Sequence, residues 1–192
     1  MQEDDDLDLA DIDAILNGDE EAYVGIVERH TLRIQKQMRN FSRDPLIMEE
    51  LTQDAFVEAY TSLGSFRGDA PFRHWLARIA TLTGYKYWKK RDKEKQTLPL
   101  SGSFEPAAPE ESEPGDPERA ANVLYDLLAT LPPDDRMIMT LMYLEQIGQE
   151  EIASRMGWTR VMVAVRIYRA KQRLKKLGGQ EPWKGRLEWI LS

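Results

Sequence analysis

Residues 149–176 read QEEIASRMGWTRVMVAVRIYRAKQRLKK, which is a short acidic segment, a glycine and a longer basic segment. The last 22 residues of this stretch hold eight Lys or Arg and no acid, in a chain whose net charge is −7. Gly157 can adopt the positive φ of a tight turn, and Thr159 can cap the helix that follows. The pattern predicts a helix-turn-helix whose second helix meets a polyanion.

Apolar residues at helical spacing predict which side of this second helix is buried. They are Val163, Ile167, Ala170 and Leu174, facing Ile152, Ala153 and Met156 of the first helix. The opposite side presents Arg160, Val161, Ala164, Val165, Tyr168, Arg169 and Gln172. Arginine on such a face can pair bidentately with guanine in the major groove of DNA. The other cations are expected to hold the phosphate backbone, and they are Arg166, Lys171, Arg173, Lys175 and Lys176.

Charge is segregated along the rest of the chain. Residues 1–22 hold ten acids and no Lys or Arg, residues 73–95 hold eight cations against two acids, and residues 101–118 hold six acids and no base. A surface tuned only for solubility would mix the two signs. Two separate basic stretches therefore predict two contact regions for a polyanion.

Residues 96–117 contain LSGSFEPAAPEESEPGDP and are predicted to be a flexible acidic linker, because Gly, Ser, Pro and Glu replace periodic apolar residues. Upstream, apolar residues at helical spacing predict helices after Asp19, after Asp44-Pro45 and after Pro71, with a short helix near 9–16. Downstream, helices are predicted over 118–131 and 133–143, before the helix-turn-helix. The fold class is therefore all-α, with two small helical domains.

Composition excludes several classes of function. The chain has no cysteine, and its two histidines, His30 and His74, lack ligand-like spacing, so we expect no metal and no cofactor. No phosphate-binding glycine loop, Ser/His/Asp set or catalytic carboxylate pair is recognisable, so we expect no enzyme and no small-molecule substrate. The acidic N-terminus is unlike a secretory signal and no apolar run is long enough to span a bilayer, which predicts a cytoplasmic protein without membrane insertion.

Three segments resemble the small extracytoplasmic-function class, group 4, of the sigma-70 family of bacterial RNA polymerase sigma factors. They are EELTQDAFVEAYTSLGSFRG at 49–68, FRHWLARIA at 72–80 and LLATLPPDDRMIMTLMYLEQIGQEEIASRMG at 127–157. The resemblance implies a region 2 helical bundle at 19–95 and a four-helix region 4 with its helix-turn-helix at 118–178. Residues 1–18 are then an acidic extension, and residues 179–192 a C-terminal tail that packs on region 4 or binds a regulator.

The resemblance also implies functional residues. Core polymerase would bind the face with Glu50, Gln53, Asp54 and Glu58, of which 50, 54 and 58 are one helical turn apart. The minus-10 element would contact Phe66, Arg67, Arg73, Arg78, Tyr85, Lys86, Trp88, Lys89 and Lys90. Cations there follow phosphates while aromatic rings stack on unpaired bases. Trp75 is expected in the core, and Tyr85 and Trp88 are expected to be more open.

The minus-35 element would contact Thr159, Arg160, Ala164, Val165, Tyr168, Arg169, Lys171 and Arg173. By the same resemblance the partners are core RNA polymerase, promoter DNA and an anti-sigma factor, and the linker runs toward the RNA exit path or serves as a plain tether. The function implied is promoter-specific transcription initiation. Two alternatives are a stand-alone helix-turn-helix regulator and a sigma-like decoy. The decoy is suggested by Leu82, Ala164 and Val165, which replace polar or basic residues usual in the family.

Overall fold

A computed structural model describes residues 2–97 and 117–178, and both ranges are predominantly helical. No strand occurs in these two ranges, which confirms the predicted all-α fold. The chain forms two compact units, Met1–Lys90 and Arg91–Ser192, called unit 1 and unit 2 below. Most of the predicted linker and the predicted C-terminal tail lie outside the described residues.

Unit 1 is built from four helices, the last of which continues a short way past the boundary at Lys90. They are α1 at Gln2–Leu16, α2 at Tyr23–Met38, α3 at Pro45–Ser62 and α4 at Phe72–Thr97. A 3₁₀ turn, Glu20–Ala22, leads into α2, and a second, Leu63–Ser65, follows α3. Asp19 precedes the first 3₁₀ turn, and its side chain makes no capping hydrogen bond.

The start of α3 follows from its first two residues. The backbone N–H of Leu46 donates to Asp44 Oδ1 at 2.9 Å, so this carboxylate satisfies one of the free donors of the first turn. Pro45 occupies the first helical position, where its missing N–H costs nothing. The predicted helix start after Asp44-Pro45 is confirmed.

The core of unit 1 includes a tight contact between α4 and the turn that follows α2. Phe41 is fully buried, and its ring centroid lies 4.7 Å from that of Trp88. A Cβ on Gly84 would lie 2.3 Å from the Phe41 ring, so only glycine fits where α4 passes this ring. The pair anchors the middle of α4 against the turn that follows α2.

The N-terminal helix is longer than the sequence pattern indicated. A short helix near 9–16 was predicted, and α1 extends from Gln2 to Leu16 and packs against α2. Asp8 and Ile12 are buried at this contact. The acidic extension is therefore structured and belongs to unit 1.

Unit 2 contains α5 at Pro117–Ala129, α6 at Pro133–Met139, α7 at Gln149–Met156 and α8 at Arg160–Gly178. A π-helical turn, Thr140–Leu144, continues α6, so the helix predicted over 133–143 changes its geometry midway. One cluster of the core of this unit comprises Val123, Leu127, Leu128, Leu131, Met139, Ala170 and Leu174. α6 and α7 both pack on α8, which holds the long basic helix on a rigid support.

Candidate nucleic-acid and polymerase interfaces

The helix-turn-helix of unit 2 has the predicted geometry. Gly157 ends α7 with φ +66°, the left-handed conformation that glycine adopts without strain. The backbone N–H of Met162 donates to Thr159 Oγ1 at 3.1 Å, which caps α8. Val163, Ile167, Ala170 and Leu174 are buried, as their spacing predicted, whereas Met156 is only half-buried.

The outer face of α8 is open to solvent. All the predicted minus-35 residues are exposed, namely Thr159, Arg160, Ala164, Val165, Tyr168, Arg169, Lys171 and Arg173. Tyr168 is 66% exposed and projects into solvent. Arg169 forms no ion pair with any residue in the described ranges, so its guanidinium is available to a partner. Arg160 instead pairs with exposed Glu150 of α7.

One flank of α8 is held by acids of α6, which the sequence reading missed. Arg173 was expected on the DNA backbone, but its guanidinium pairs with Asp135, a residue only 3% exposed. Arg166, also expected on the backbone, lies 2.5 Å from a carboxylate oxygen of Asp134 and stacks over the Trp158 ring at 5.1 Å. These two arginines therefore connect α8 to α6 and to the turn before α8.

The acidic face of α3 in unit 1 is exposed at all four predicted positions, Glu50, Gln53, Asp54 and Glu58. Gln53 Nε2 donates to Glu49 Oε1 at 3.3 Å, and Glu58 lies 3.3 Å from Lys86 Nζ of α4. Such exposed pairs contribute about 0–1 kcal/mol, so a partner can replace them at little cost. The face is therefore an accessible anionic surface.

An apolar groove between α2 and α3 was not predicted. It has a volume of about 500 Å³ and is lined by Glu20, Tyr23, Val24, Val27, Glu28, Phe56, Val57 and Tyr60. The Tyr23 hydroxyl donates to the Phe56 carbonyl at 2.6 Å, and the Tyr23 and Tyr60 rings meet edge to face at 4.9 Å. Burial raises the pKa of Tyr23 well above its ordinary value, so this donor stays protonated.

The loop before α4 carries an aromatic cluster. Phe66 lies 5.5 Å from Phe72 and 5.6 Å from Trp75, measured between ring centroids. Phe72 is buried, whereas Phe66 and Trp75 are half-exposed, so Trp75 is more open than predicted. Further along α4, Arg78, Lys86, Lys89 and Lys90 are exposed, as is Arg67 in the loop, and Tyr85 is half-exposed beneath Lys89 Nζ at 6.0 Å.

Two predicted minus-10 residues require correction. Trp88 is 4% exposed, and its indole N–H donates to the Phe41 carbonyl at 2.9 Å, so its ring belongs to the core and offers no face to a base. Arg73 pairs with Asp5 of α1, and the hydrogen bond from Arg73 lowers the pKa of Asp5 below its ordinary value. The predicted contact of Arg73 with DNA thus competes with an internal ion pair.

The acids of α1 supply an ion-pair cluster that the sequence reading missed. Asp8 is fully buried, accepts a hydrogen bond from Arg29 Nε at 3.0 Å and lies 2.8 Å from His30 Nε2. Asp11 also pairs with Arg29, at 2.5 Å. Burial alone would lower the pKa of Arg29, but hydrogen bonds to Asp11 and Asp8 outweigh it and raise that pKa. The only signals for this cluster in the sequence are the many acids of the N-terminal segment and the adjacent cations Arg29 and His30.

Within residues 2–97 and 117–178 no helix is long and apolar enough to cross a membrane. The same ranges contain no group of three His, Cys, Asp or Glu side chains placed to hold a metal ion.

Both units match known protein families. Residues 26–94 match the model of Sigma-70 region 2, and residues 121–174 match that of Sigma-70 region 4. The chain is 30% identical over 172 residues to the ECF RNA polymerase sigma-E factor of Escherichia coli strain K12, covering 84% of this chain and 88% of the relative. The chain belongs to the extracytoplasmic-function sigma factors of the sigma-70 family. It acts in promoter-specific initiation of transcription, with core RNA polymerase and promoter DNA as partners.

Other relatives agree with this assignment. The sigma factor is 28% identical over 179 residues to the RNA polymerase sigma-H factor of Pseudomonas aeruginosa strain PAO1, covering 86% of this chain and 90% of the relative. Its fold resembles that of CnrH, solved with the cytosolic domain of CnrY, at TM-score 0.57 and 23% identity over 91% and 99% of the two chains. It also resembles RpoE of Bartonella quintana, solved with the anti-sigma factor NepR, at TM-score 0.54 and 20% identity over 81% and 95% of the chains.

Proposed function

We propose that the exposed face of α8 reads the minus-35 element of the promoter. The observation that carries this proposal is that Arg169, Tyr168 and Val165 project from a helix whose opposite side is buried. Arg169 can pair bidentately with guanine, Tyr168 can reach a phosphate or a thymine methyl, and Ala164 and Val165 can contact thymine methyls. Lys171 and Lys175 contribute affinity without sequence preference.

Core polymerase binds the anionic face of α3 in this proposal. Glu50, Asp54 and Glu58 align along one side of the helix, and all three are exposed. Complementary charge accelerates encounter and orients docking. The apolar groove beside α3, with Tyr23 and Tyr60, supplies surface that an apolar partner side chain can cover.

The minus-10 element meets the loop before α4 and the basic side of α4. Phe66 and Trp75 offer the aromatic faces, replacing Trp88, which is buried. Stacking on such rings contributes about 1–3 kcal/mol per base, comparable to the cost of removing a base from the duplex. Arg67, Arg78, Lys86, Lys89 and Lys90 are exposed cations that can follow the displaced strand.

Further parts of the proposal concern organisation and regulation. Region 2 occupies 19–95 and region 4 occupies 118–178, joined by a flexible acidic linker at 96–117, and the protein works in the cytoplasm without catalysing a reaction of its own. An anti-sigma factor restrains it until a signal arrives. Support comes from the structural relative of Bartonella quintana that was solved with such a partner.

A second candidate is a sigma-like decoy that occupies polymerase without selecting promoters. It is favoured by Ala164 and Val165, which stand exposed on the reading face and have no side-chain hydrogen-bonding group. Leu82 on α4 likewise has no polar group. A decoy would bind core polymerase yet fail to support transcription from any sequence, which separates it from the first proposal.

DNA readout is tested with holoenzyme assembled from core polymerase and the full chain. Arg169→Ala is expected to cost roughly 1–3 kcal/mol at one promoter position, because a bidentate contact is lost there. Lys175→Ala is expected to weaken binding to all sequences alike and to lower the salt slope by about one. An equal loss on every sequence from Arg169→Ala would refute the assigned role.

Polymerase docking is tested separately by co-elution with core enzyme. Asp54→Arg reverses one charge in the middle of the anionic face and is expected to weaken assembly about tenfold, since the proposal requires a cationic polymerase surface opposite this face. Asp13→Arg is the matched control, because Asp13 is also an exposed helical acid but lies on α1. Equal effects of both variants would show that assembly depends on the net charge of the protein and not on the α3 face.

A further inference from the structure

Asp135 is a buried carboxylate in the first turn of α6. Its residue is 3% exposed, and it lies two positions after Pro133, the first residue of the helix. A helix N-terminus favours a negative charge, but a carboxylate withdrawn from water still requires partners. Those partners come from α8.

Both partners lie on one flank of the recognition helix. Arg166 and Arg173 are seven residues apart, so two helical turns place them on the same side. Arg173 pairs with Asp135 Oδ2, and Arg166 lies 3.5 Å from Asp135 Oδ1. One carboxylate thus spans two turns of α8.

Neighbouring groups reinforce this attachment. Asp134 supplies a second carboxylate to Arg166, at 2.5 Å, and Trp158 lies beneath the same guanidinium. Arg166 is three-quarters buried, whereas the Arg173 side chain is half-exposed. Arg173 is therefore the cation that would turn to DNA most easily if Asp135 lost its charge.

We propose that Asp135 keeps the sequence-independent DNA binding of this sigma factor weak by withholding Arg173 from the DNA backbone. The proposal rests on the proposed role of the α8 face at the minus-35 element. Every phosphate contact strengthens binding to all sequences equally, so withholding Arg173 lowers the affinity for any DNA without changing the preference for one sequence over another. Asp135 does this through its ion pairs with Arg173 and Arg166. It acts as a positioning residue and does not touch DNA.

The test uses holoenzyme assembled from core polymerase and the full chain, bound to a promoter duplex and to the same duplex with a scrambled minus-35 element. Asp135→Asn is expected to raise affinity for the scrambled duplex roughly 3- to 10-fold at low salt and to steepen the salt slope by about 0.9, the value for one added phosphate contact. Affinity for the promoter duplex is expected to rise by the same factor, so the ratio of promoter to scrambled affinity is expected to stay unchanged.

Arg173→Ala is the decisive companion variant, and it keeps the proposal testable if Asp135→Asn unfolds unit 2. Because Arg173 is already withheld from DNA, its loss is expected to leave the salt slope unchanged. The double variant is expected to match Arg173→Ala, since the cation released by Asp135→Asn is gone. Lys175→Ala is the positive control, because it is expected to lower the salt slope by about one.

Two results would overturn the proposal. A fall of about one in the salt slope for Arg173→Ala would show that Arg173 already contacts a phosphate. A folded Asp135→Asn protein, with unchanged thermal unfolding and an unchanged slope, would show that the carboxylate withholds nothing. Failure of the proposed minus-35 role gives a different result, because the unsubstituted protein would then bind promoter and scrambled duplexes equally.

Discussion

The two units differ in how far their DNA-facing residues are determined by local sequence. In unit 2 the reading face of α8 follows from helical spacing and a glycine turn, because burial of Val163 and Ile167 leaves Tyr168 and Arg169 outside. In unit 1 the orientation of α4 side chains depends on distant residues, since Trp88 is buried by Phe41 and Arg73 is held by Asp5. Local periodicity therefore predicts a recognition helix better than a surface assembled from several helices.

Among the substitutions that test this difference between the two units, the largest effect is expected at Trp88. Trp88→Ala should lower the free energy of unfolding of unit 1 by about 3–5 kcal/mol, because it leaves a cavity beside Phe41 and removes the hydrogen bond from the indole N–H to the Phe41 carbonyl. Urea unfolding followed by circular dichroism measures this change. Lys90→Ala, an exposed control on the same helix, should change stability by less than about 0.5 kcal/mol. A stable Trp88→Ala protein that loses only DNA binding would show that Trp88 contacts DNA and does not stabilise the core.

The next largest effect is expected at the buried acid of α1. Asp8→Ala should destabilise unit 1 by about 3 kcal/mol, because Arg29 and His30 lose a buried partner. Asp6→Ala is the matched control, since Asp6 is exposed on the same helix. Hydrogen exchange of α2 amides reports the difference directly. Equal protection of α2 in both variants would mean that α1 does not stabilise unit 1.

A smaller effect is expected where α4 passes Phe41. Gly84→Ala should cost about 1–3 kcal/mol, because the added Cβ must displace a buried ring by more than its packing allows. Gly64→Ala is the control, because a Cβ there meets nothing within 4 Å. Thermal unfolding compares the two. If Gly84→Ala is as stable as Gly64→Ala, the Phe41–Trp88 contact is looser than described.

The smallest effect is expected in unit 2 and has the opposite sign. Gln146 has φ +54°, a conformation that strains a side-chain-bearing residue. Gln146→Gly should stabilise unit 2 by about 0.5–1 kcal/mol, because relief of this strain exceeds the entropy that glycine adds to the unfolded chain. Differential scanning calorimetry measures the expected rise in the unfolding temperature of unit 2. A loss of stability would show that the Gln146 side chain makes a contact that outweighs the strain.

Particular residues show how much could be predicted from sequence. The all-α fold, the Asp44 and Thr159 caps, the Gly157 turn and the outer face of α8 all follow from short-range patterns. Leu76, Ala80, Gly84 and Trp88 recur every four residues and are all buried, so a signal for the burial of Trp88 existed. Lys86, Lys89 and Lys90 surround Trp88 in the sequence and favour the opposite prediction, because a high density of charge usually indicates an exposed surface.

Other features required the three-dimensional arrangement. The Asp5–Arg73 pair joins residues 68 positions apart, and the Asp135–Arg173 pair joins residues 38 positions apart. Neither pairing has a periodic signature, because each depends on how helices pack and not on spacing within one helix. Which cations are free for DNA is therefore a tertiary property in both units.

Transcription reconstituted from core polymerase and the full chain, on promoters randomised at the minus-35 and minus-10 elements, tests the central claim most directly. The account predicts transcripts enriched for one minus-35 sequence, with Arg169→Ala relaxing the preference at a single position of it. Transcription without any minus-35 preference, or an unchanged preference in Arg169→Ala, would contradict the assignment of sequence reading to the outer face of α8.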